Sequence, residues 1–412
     1  MKKTYWSGFL TGVLCTILCI TIGIGGQQFI LKNRGQNSVY QKQEMEVHSK
    51  EDTRISPVNV LTKVAMLQKY IDTYYLNKVD GNKLEEGIYK GIVWGLADPY
   101  SIYYTKDEFK QIQESTSGVY CGIGVRVSQD ANTGMLMIIE PFTGGPSAKA
   151  GILPGDIIYK VEDEKVTGKD ISEVVAKIKG KEGTKVALTI LRGREELEFR
   201  VERKEIETST VSYEMLENKI GYIKISEFDE ITAQQFREAM KELEKQDETG
   251  LIIDLRNNGG GRLTATVDML DRMLPKGTLL TTKEKSGEGE TFSSTDAEQF
   301  EKPLAVLINE SSASASEVFA GAIQDYGTGK LVGTTSFGKG IVQTIFDLKD
   351  GTAIKLTTSE YFTPKGRNIH GKGLTPDVKI ELNPDLKKKV ILDKKEDTQL
   401  QAAIQEVIKM QK

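Results

Sequence analysis

The sequence predicts a mixed α/β (α+β) protein: a strand–helix core with a small β-rich domain ahead of it, preceded by an apolar anchor helix and a helical segment. Three observations carry this. From residue 205 onward, apolar strand-like runs alternate with amphipathic helical runs, as βαβ units around a partly parallel sheet require. Residues 118–204 instead hold short strand-like runs punctuated by Gly and Pro. The amino terminus opens on a long apolar stretch that contains no charge.

That stretch comes first in the chain. Lys2 and Lys3 precede it, and no charged residue appears from Thr4 to Leu31. An apolar run of about 20 residues is what a bilayer core asks of a helix, and the flanking lysines place the amino terminus on the cytoplasmic side. A cleaved signal peptide begins alike, but its apolar region is shorter, and this run closes in GGQQFILKNRG without a clear small-x-small cleavage site. The expectation is a single-pass anchor over 1–31, with the body of the chain outside the cytoplasm. Residues 32–56 are polar and aperiodic and read as a stalk. Over 57–117 the spacing predicts helices, with Val60, Val64, Leu67 and Ile71 on one face and Leu84, Ile88, Ile92 and Leu96 on another. The DPYS stretch, Asp98–Ser101, breaks that pattern.

Within 118–204, GVYCGIGVRV and MLMIIEPF read as strands. DISEVVAKIK reads as a short helix opening on Asp170 as a cap, and KVALTILR with ELEFRVER as a closing strand pair. The core, 205–382, then runs KIGYIKIS (strand), TAQQFREAMKELEK (helix), GLIIDLR (strand) and a glycine turn into GRLTATVDMLDRML (helix). PLAVLINE (strand), SASEVFAGAIQDYG (helix) and KLVGTT (strand) follow. The tail, 383–412, carries a last helix, TQLQAAIQEVIKM. Ligand-facing loops in such sheets gather at the carboxyl ends of the strands, where DLRNNGGG and NESSASASE both fall.

Composition excludes some classes. A net charge of −4 is not the basic footprint of a nucleic-acid partner. Cys15 and Cys19 lie in the apolar run, leaving Cys121 alone in the body with His48 and His370. That set makes neither an internal disulfide nor an all-protein zinc site, so no metal is expected, and Cys121 reads as packing.

Three segments carry the chemistry. In NESSASASEVFAGA, small hydroxyl residues run from a strand into a helix, whose first N–H groups and positive dipole end suit a developing oxyanion. Helix capping alone would explain the same serines. A nucleophilic serine also needs a base, and only His370 among the histidines lies in the body. The other route is a lysine made neutral by desolvation. Lys339 in FGKGIVQ sits between two glycines beside an apolar run, and in an extended segment Gln343 shares its face. The stretch Gly333–Gly340, GTTSFGKG, nearly spells a phosphate loop, but Gly340 stands where the magnesium-binding hydroxyl belongs. The NNGGG turn permits positive φ and close backbone approach.

In this order, DLRNNGGG, SSASASEVFAGAIQDYG and FGKGIVQ resemble the carboxyl-terminal processing peptidases, tail-specific serine proteases with a Ser/Lys dyad. KLEEGIYKGIVWGLADPYSIYYTKDEF resembles their amino-terminal helical segment, 118–204 their PDZ domain, and IHGKGLTPDV their closing motif. The resemblance implies a protease core with an inserted PDZ domain and no cofactor. Ser314 would be the nucleophile, Lys339 the general base and Gln343 its orienting partner. Backbone N–H groups of Ala315 and Gly260 would form the oxyanion hole, with Gly261 the fallback, since relatives read NNPGG where this chain has NNGGG. Glu317, one helical turn from Ser314, would support the local geometry. Gly122, Ile123, Gly124 and Val125 would form the peptide-carboxylate loop. It further implies protein substrates with flexible apolar carboxyl tails, a place in the bacterial cell envelope and a homodimer through the terminal helices. The competing expectations are a non-catalytic PDZ scaffold, a nucleotide-binding enzyme using GTTSFGKG and a Ser–His enzyme using His370.

Overall fold

The computed structural model describes residues 54–130, 133–295, 299–383, 386 and 393–411. The expected anchor over 1–31 and most of the stalk lie outside the described residues. Among the described residues no helix is long and apolar enough to cross a membrane. The chain divides into a unit ending at Asp80 and a larger unit from Gly81 onward.

Among its described residues the first unit holds one helix, Pro57–Tyr74. Ser56 caps it by accepting from Asn59 N–H, and Pro57 occupies the first turn, where its missing N–H is harmless. None of its residues is buried.

In the larger unit, helices Gly81–Trp94 and Lys106–Ser117 flank a short strand, Ile102–Tyr104. Thr105 and Glu108 close a reciprocal capping box on the second helix. The strand interrupts the helical segment expected over 57–117, because Ile102–Tyr104 pairs with the distant strand Ala353–Phe362.

The PDZ-like part is a sheet of strands Val125–Gln129, Leu136–Pro141, Ile157–Val161, Lys185–Arg192 and Glu195–Glu202, in that order, with Glu164–Lys165 appended. Its core includes Ile138, Val186 and Ile190, all fully buried. Helix Ile171–Ile178 starts at Asp170, which accepts from Ser172 N–H as expected. A separate pair, Val119–Gly122 with Lys204–Glu207, closes the domain at its base.

The core is a six-stranded sheet: Val211–Met215, Ile220–Ile225, Gly250–Asp254, Leu304–Ile308, Lys330–Gly333 and Val378–Lys379. All neighbours after the first pair are parallel. Alternation sorts its side chains: Leu251, Ile253 and Val306 join one apolar cluster with helices Thr232–Glu244, Leu263–Met273 and Ala315–Tyr326. Ile252, Ala305 and Leu307 face the other way, against Leu400, Ala403 and Val407 of helix Thr398–Met410. A second, antiparallel sheet joins Ile102–Tyr104, Ala353–Phe362, Gly277–Glu284 and Thr291–Ser294, with Ile341–Asp347 paired along Ala353–Phe362. The site lies between the two sheets' contributions.

Candidate active site

Ser314 is the N-cap of helix Ala315–Tyr326 with φ 54° and ψ −114°, a conformation that costs an ordinary residue about 1–3 kcal/mol. Its backbone is over-determined. The Ser314 N–H donates to Glu317 Oε2 at 3.0 Å, and its carbonyl accepts from Glu317 N–H at 2.8 Å and Tyr361 OH at 3.2 Å. The neighbouring serines are committed elsewhere: Ser312 Oγ donates to Leu255 O and Ser316 Oγ to Asn258 O, both fully buried. Of SASAS, Ser314 is the serine that lines a cavity of about 220 Å³, together with Ala315, Lys339, Gln343, Gly259 and Gly261.

Glu317 is fully buried and accepts four hydrogen bonds. Besides Ser314 N–H, they come from Ser336 Oγ at 2.5 Å, Gly338 N–H at 2.7 Å and Lys339 N–H at 2.8 Å. One carboxylate thus ties the backbone of Ser314 to the backbone of Lys339. Sequence spacing pointed to Glu317 only as a neighbour of Ser314, one helical turn away. Its bonds to the lysine loop come from tertiary packing, so no local pattern records them.

The glycine turn requires a correction. The Gly260 N–H donates to Asn258 Oδ1 at 2.8 Å, so it is not a free oxyanion donor here, and Gly260 does not line the cavity. Phe228 N–H donates to Gly260 O, and Arg262 N–H to Phe228 O. The groups flanking Gly261 therefore face Phe228, and the N–H of Gly261 faces the opposite side. Gly261 has φ 146°, and a Cβ there would sit 2.2 Å from Phe228 O; only glycine fits. Asn258, fully buried, also donates to Ile225 O and accepts from Ala313 N–H through its carbonyl. It joins the glycine turn to the serine loop.

Lys339 is half-buried between Gly338 and Gly340. A Cβ on Gly338 would meet Gly373 N at 2.8 Å, and one on Gly340 would meet His370 N at 2.7 Å. Both glycines are there because the IHGKG segment crosses them. Burial pushes the Lys339 amine below its ordinary pKa, Lys355 pushes it the same way, and Asp98 and Glu317 oppose them. The amine rests 4.7 Å from the centroid of the Tyr100 ring. GTTSFGKG leads into strand Ile341–Asp347 rather than the helix a phosphate loop demands. His370 is exposed and does not line the cavity.

Gln343 lines the same cavity, but its Nε2 reaches Thr357 Oγ1 at 3.5 Å. A register shift between Val342 and Gln343 breaks the simple alternation that would have aligned it with Lys339. Among the described residues, no hydrogen bond links Lys339 Nζ to Ser314 or to Gln343. No group of His, Cys, Asp and Glu among the described residues could hold a metal ion.

In the expected carboxylate loop, Ile123 is buried in the domain core. Its carbonyl accepts from Ser147 N–H, and that of Gly124 from Phe142 N–H. Gly124 has φ 68°. Gly122 closes the basal pair opposite Lys204, and Val125 opens strand Val125–Gln129, the edge of its sheet.

Fold and site together describe an α/β core, with Ser314 and Lys339 on one cavity, joined to a small β-rich domain. Residues 219–380 match the sequence model of Peptidase family S41, 140–192 that of the PDZ domain, and 20–108 that of the Activating protease CtpB N-terminal domain. The chain is 39% identical over 324 residues to a probable CtpA-like serine protease of Staphylococcus aureus (strain COL), which covers 78% of this chain and 65% of that one. A protein of the same description from Staphylococcus haemolyticus (strain JCSC1435) is 40% identical over 323 residues, covering 78% and 64%. The chain thus spans a little under two thirds of the length of these curated relatives. Among solved structures, the photosystem II D1 C-terminal processing protease is similar at 26% identity, over 78% of this chain and 87% of that one, with a TM-score of 0.45. The match to peptidase family S41 covers the core of this chain. The matches to the amino-terminal domain and to the PDZ domain precede it along the chain, in that order.

Proposed function

We propose that the chain is a serine endopeptidase that cuts proteins near their carboxyl ends, with Ser314 as nucleophile and Lys339 as general base. The observation that carries this is the cavity shared by Ser314, Lys339 and Gln343, with Glu317 bridging the backbones of the first two. A base must come within hydrogen-bond reach of the proton it takes, so the productive contact forms when Lys339 turns from Tyr100 toward Ser314. Gln343 then orients the neutral amine without adding a charge. Lys339 takes the Ser314 proton as Oγ attacks the peptide carbonyl, and the N–H groups of Ala315 and Gly261 hold the oxyanion. Protonated Lys339 gives its proton to the departing amine, leaving an acyl-enzyme. Water, deprotonated by Lys339, attacks the ester, and Ser314 recovers its proton as the acid product leaves.

Substrate choice falls to the PDZ domain. Its edge strand Val125–Gln129 offers unpaired backbone groups to an extended peptide, and the loop Gly122–Val125 receives the terminal carboxylate. A flexible apolar tail suits such an edge. The reading also includes the apolar segment 1–31 as a membrane anchor, which places the body in the cell envelope outside the cytoplasm, and a homodimer through the terminal helices.

The test is cleavage of a folded reporter protein ending in a flexible apolar tail. Wild type cuts it; Ser314→Ala and Lys339→Ala lose activity by at least about 10³-fold, in the range seen when a nucleophile or base is removed. Equal cleavage by all three chains would refute the dyad, and no cleavage by wild type would leave the non-catalytic PDZ scaffold.

A further inference from the structure

The DPYS turn, Asp98–Ser101, breaks the helical pattern of the amino-terminal segment, and the reaction scheme above gives it no part. In the fold it lies at the active site. The Asp98 carboxylate accepts from Tyr100 N–H at 3.0 Å, Ser101 Oγ at 2.6 Å and Thr357 Oγ1 at 2.7 Å. Ser101 Oγ also accepts from Thr357 N–H at 3.2 Å, and Thr357 is the residue that Gln343 reaches. One turn therefore grips the strand beside Gln343 and presents the face of Tyr100 to the amine of Lys339.

We propose that Tyr100, fixed by Asp98, is a positioning residue for the general base: its ring is the perch on which protonated Lys339 rests between proton transfers. The inference rests on the assignment of Lys339 as that base. An aromatic face attracts an ammonium and has little hold on a neutral amine. The perch thus favours the charged form, and the amine leaves it on losing its proton. Three charged groups face the amine besides the ring. Lys355 disfavours its charge, Asp98 and Glu317 favour it, and desolvation works with Lys355. Burial works against the charge of Asp98 itself, but the hydrogen bonds from Ser101, Thr357 and Tyr100 hold its carboxyl below the ordinary range. Asp98 is therefore ionised wherever the enzyme works.

The sign follows. Activity needs neutral Lys339, so its pKa sets the acid limb of the pH–rate profile. Removing a group that favours the cation lowers that pKa and moves the limb to lower pH. For a partly desolvated ring the shift is about 0.5–1 pH unit. On the acid limb the variant is then about 3–10-fold faster than wild type, a gain that structural damage does not produce.

The experiment measures the rate at which a fluorophosphonate labels Ser314 as a function of pH, which requires no tail-bearing substrate. Tyr100→Leu moves the acid limb down and Tyr100→Phe leaves it in place, since the ring and not the hydroxyl makes the perch. Asp98→Asn moves it in the same direction as Tyr100→Leu. A Tyr100→Leu limb at the wild-type position, or one that Tyr100→Phe shifts equally, overturns the proposal. Should Tyr100→Leu label too slowly for a profile, direct titration of the Lys339 amine by ¹⁵N NMR reads the same shift or its absence. Controls separate the two levels: if Lys339→Ala labels at the wild-type rate, the dyad is wrong. If Lys339→Ala is inert while the limb stays fixed in Tyr100→Leu, only the perch is.

Discussion

Glu317 shows how one side chain binds the two halves of a site. Its carboxylate has four donors and no exposure, so an amide cannot replace it in kind: Gln turns an NH₂ group toward N–H or O–H partners. Leaving buried donors unpaired costs about 1–3 kcal/mol, and the strained backbone of Ser314 loses the contact that holds its N–H. We therefore expect Glu317→Gln to lower the melting temperature and cut kcat/KM at least 10-fold, chiefly through kcat, as the PDZ domain is untouched. Calorimetry beside steady-state cleavage checks this; unchanged kcat with a lower melting temperature would make Glu317 purely structural. Residue type and spacing single out Ser314 and Lys339 in the sequence as candidates, and the fold brings both to one cavity. The sequence did not reveal that Asn258 Oδ1 takes the N–H of Gly260. A run of three glycines looks the same whichever N–H is engaged, and the choice is made by a buried asparagine whose own partners, Ile225 and Ala313, come from other elements.

The lysine loop stands or falls with the segment that crosses it. Gly338 has φ 89°, and an added Cβ would press on backbone nitrogens of Lys372 and Gly373 at 2.8–3.0 Å. Backbone cannot yield as a flexible side chain does, so Gly338→Ala forces the loop away from Ile369–Gly373. Conformational strain alone costs about 1–3 kcal/mol. The expected outcome is a loss of Ser314 labelling larger than the loss of stability explains, because Lys339 moves with the loop. Labelling at the wild-type rate would show that the close crossing does not position Lys339 for reaction at Ser314. At this scale the parallel strands and their helices were readable, since Leu251–Asp254 and Leu304–Ile308 are continuous apolar or buried runs. The antiparallel sheet was not. Strand Ala353–Phe362 is half-buried at most of its positions, leaving no alternation for a period-two reading, and its partner Ile102–Tyr104 lies in a segment whose neighbours are helical.

Within the larger unit, the helix Lys106–Ser117, the PDZ base and the core meet around one loop, Glu227–Glu230. Glu230 N–H donates to Thr116 O, Thr208 N–H donates to Gly118 O, and a Cβ on Gly118 would press on Asp229 at 3.1 Å. Phe228 in the same loop borders Gly261. None of this was visible in the sequence, where Phe228 lies outside the periodic runs and Gly118 only opens a strand-like run. Asp229 is almost wholly buried; burial, with the charge of Glu227, pushes its pKa up to about 6, against the pull of Arg262. A carboxyl that titrates near 3.8 in the unfolded chain and about 6 in the folded one binds more protons folded than unfolded between those values. Its contribution to stability is whole below the unfolded pKa and is lost as pH rises through about 6. Asp229→Asn removes that loss. The variant and wild type should melt alike near pH 4, and the variant should gain about 1–3 kcal/mol over wild type at pH 8, read from thermal or urea unfolding at both pH values. A variant less stable than wild type at pH 8 would mean that the ionised carboxylate is needed at this junction, with Arg262 outweighing burial. The junction would then be held by charge rather than strained by it.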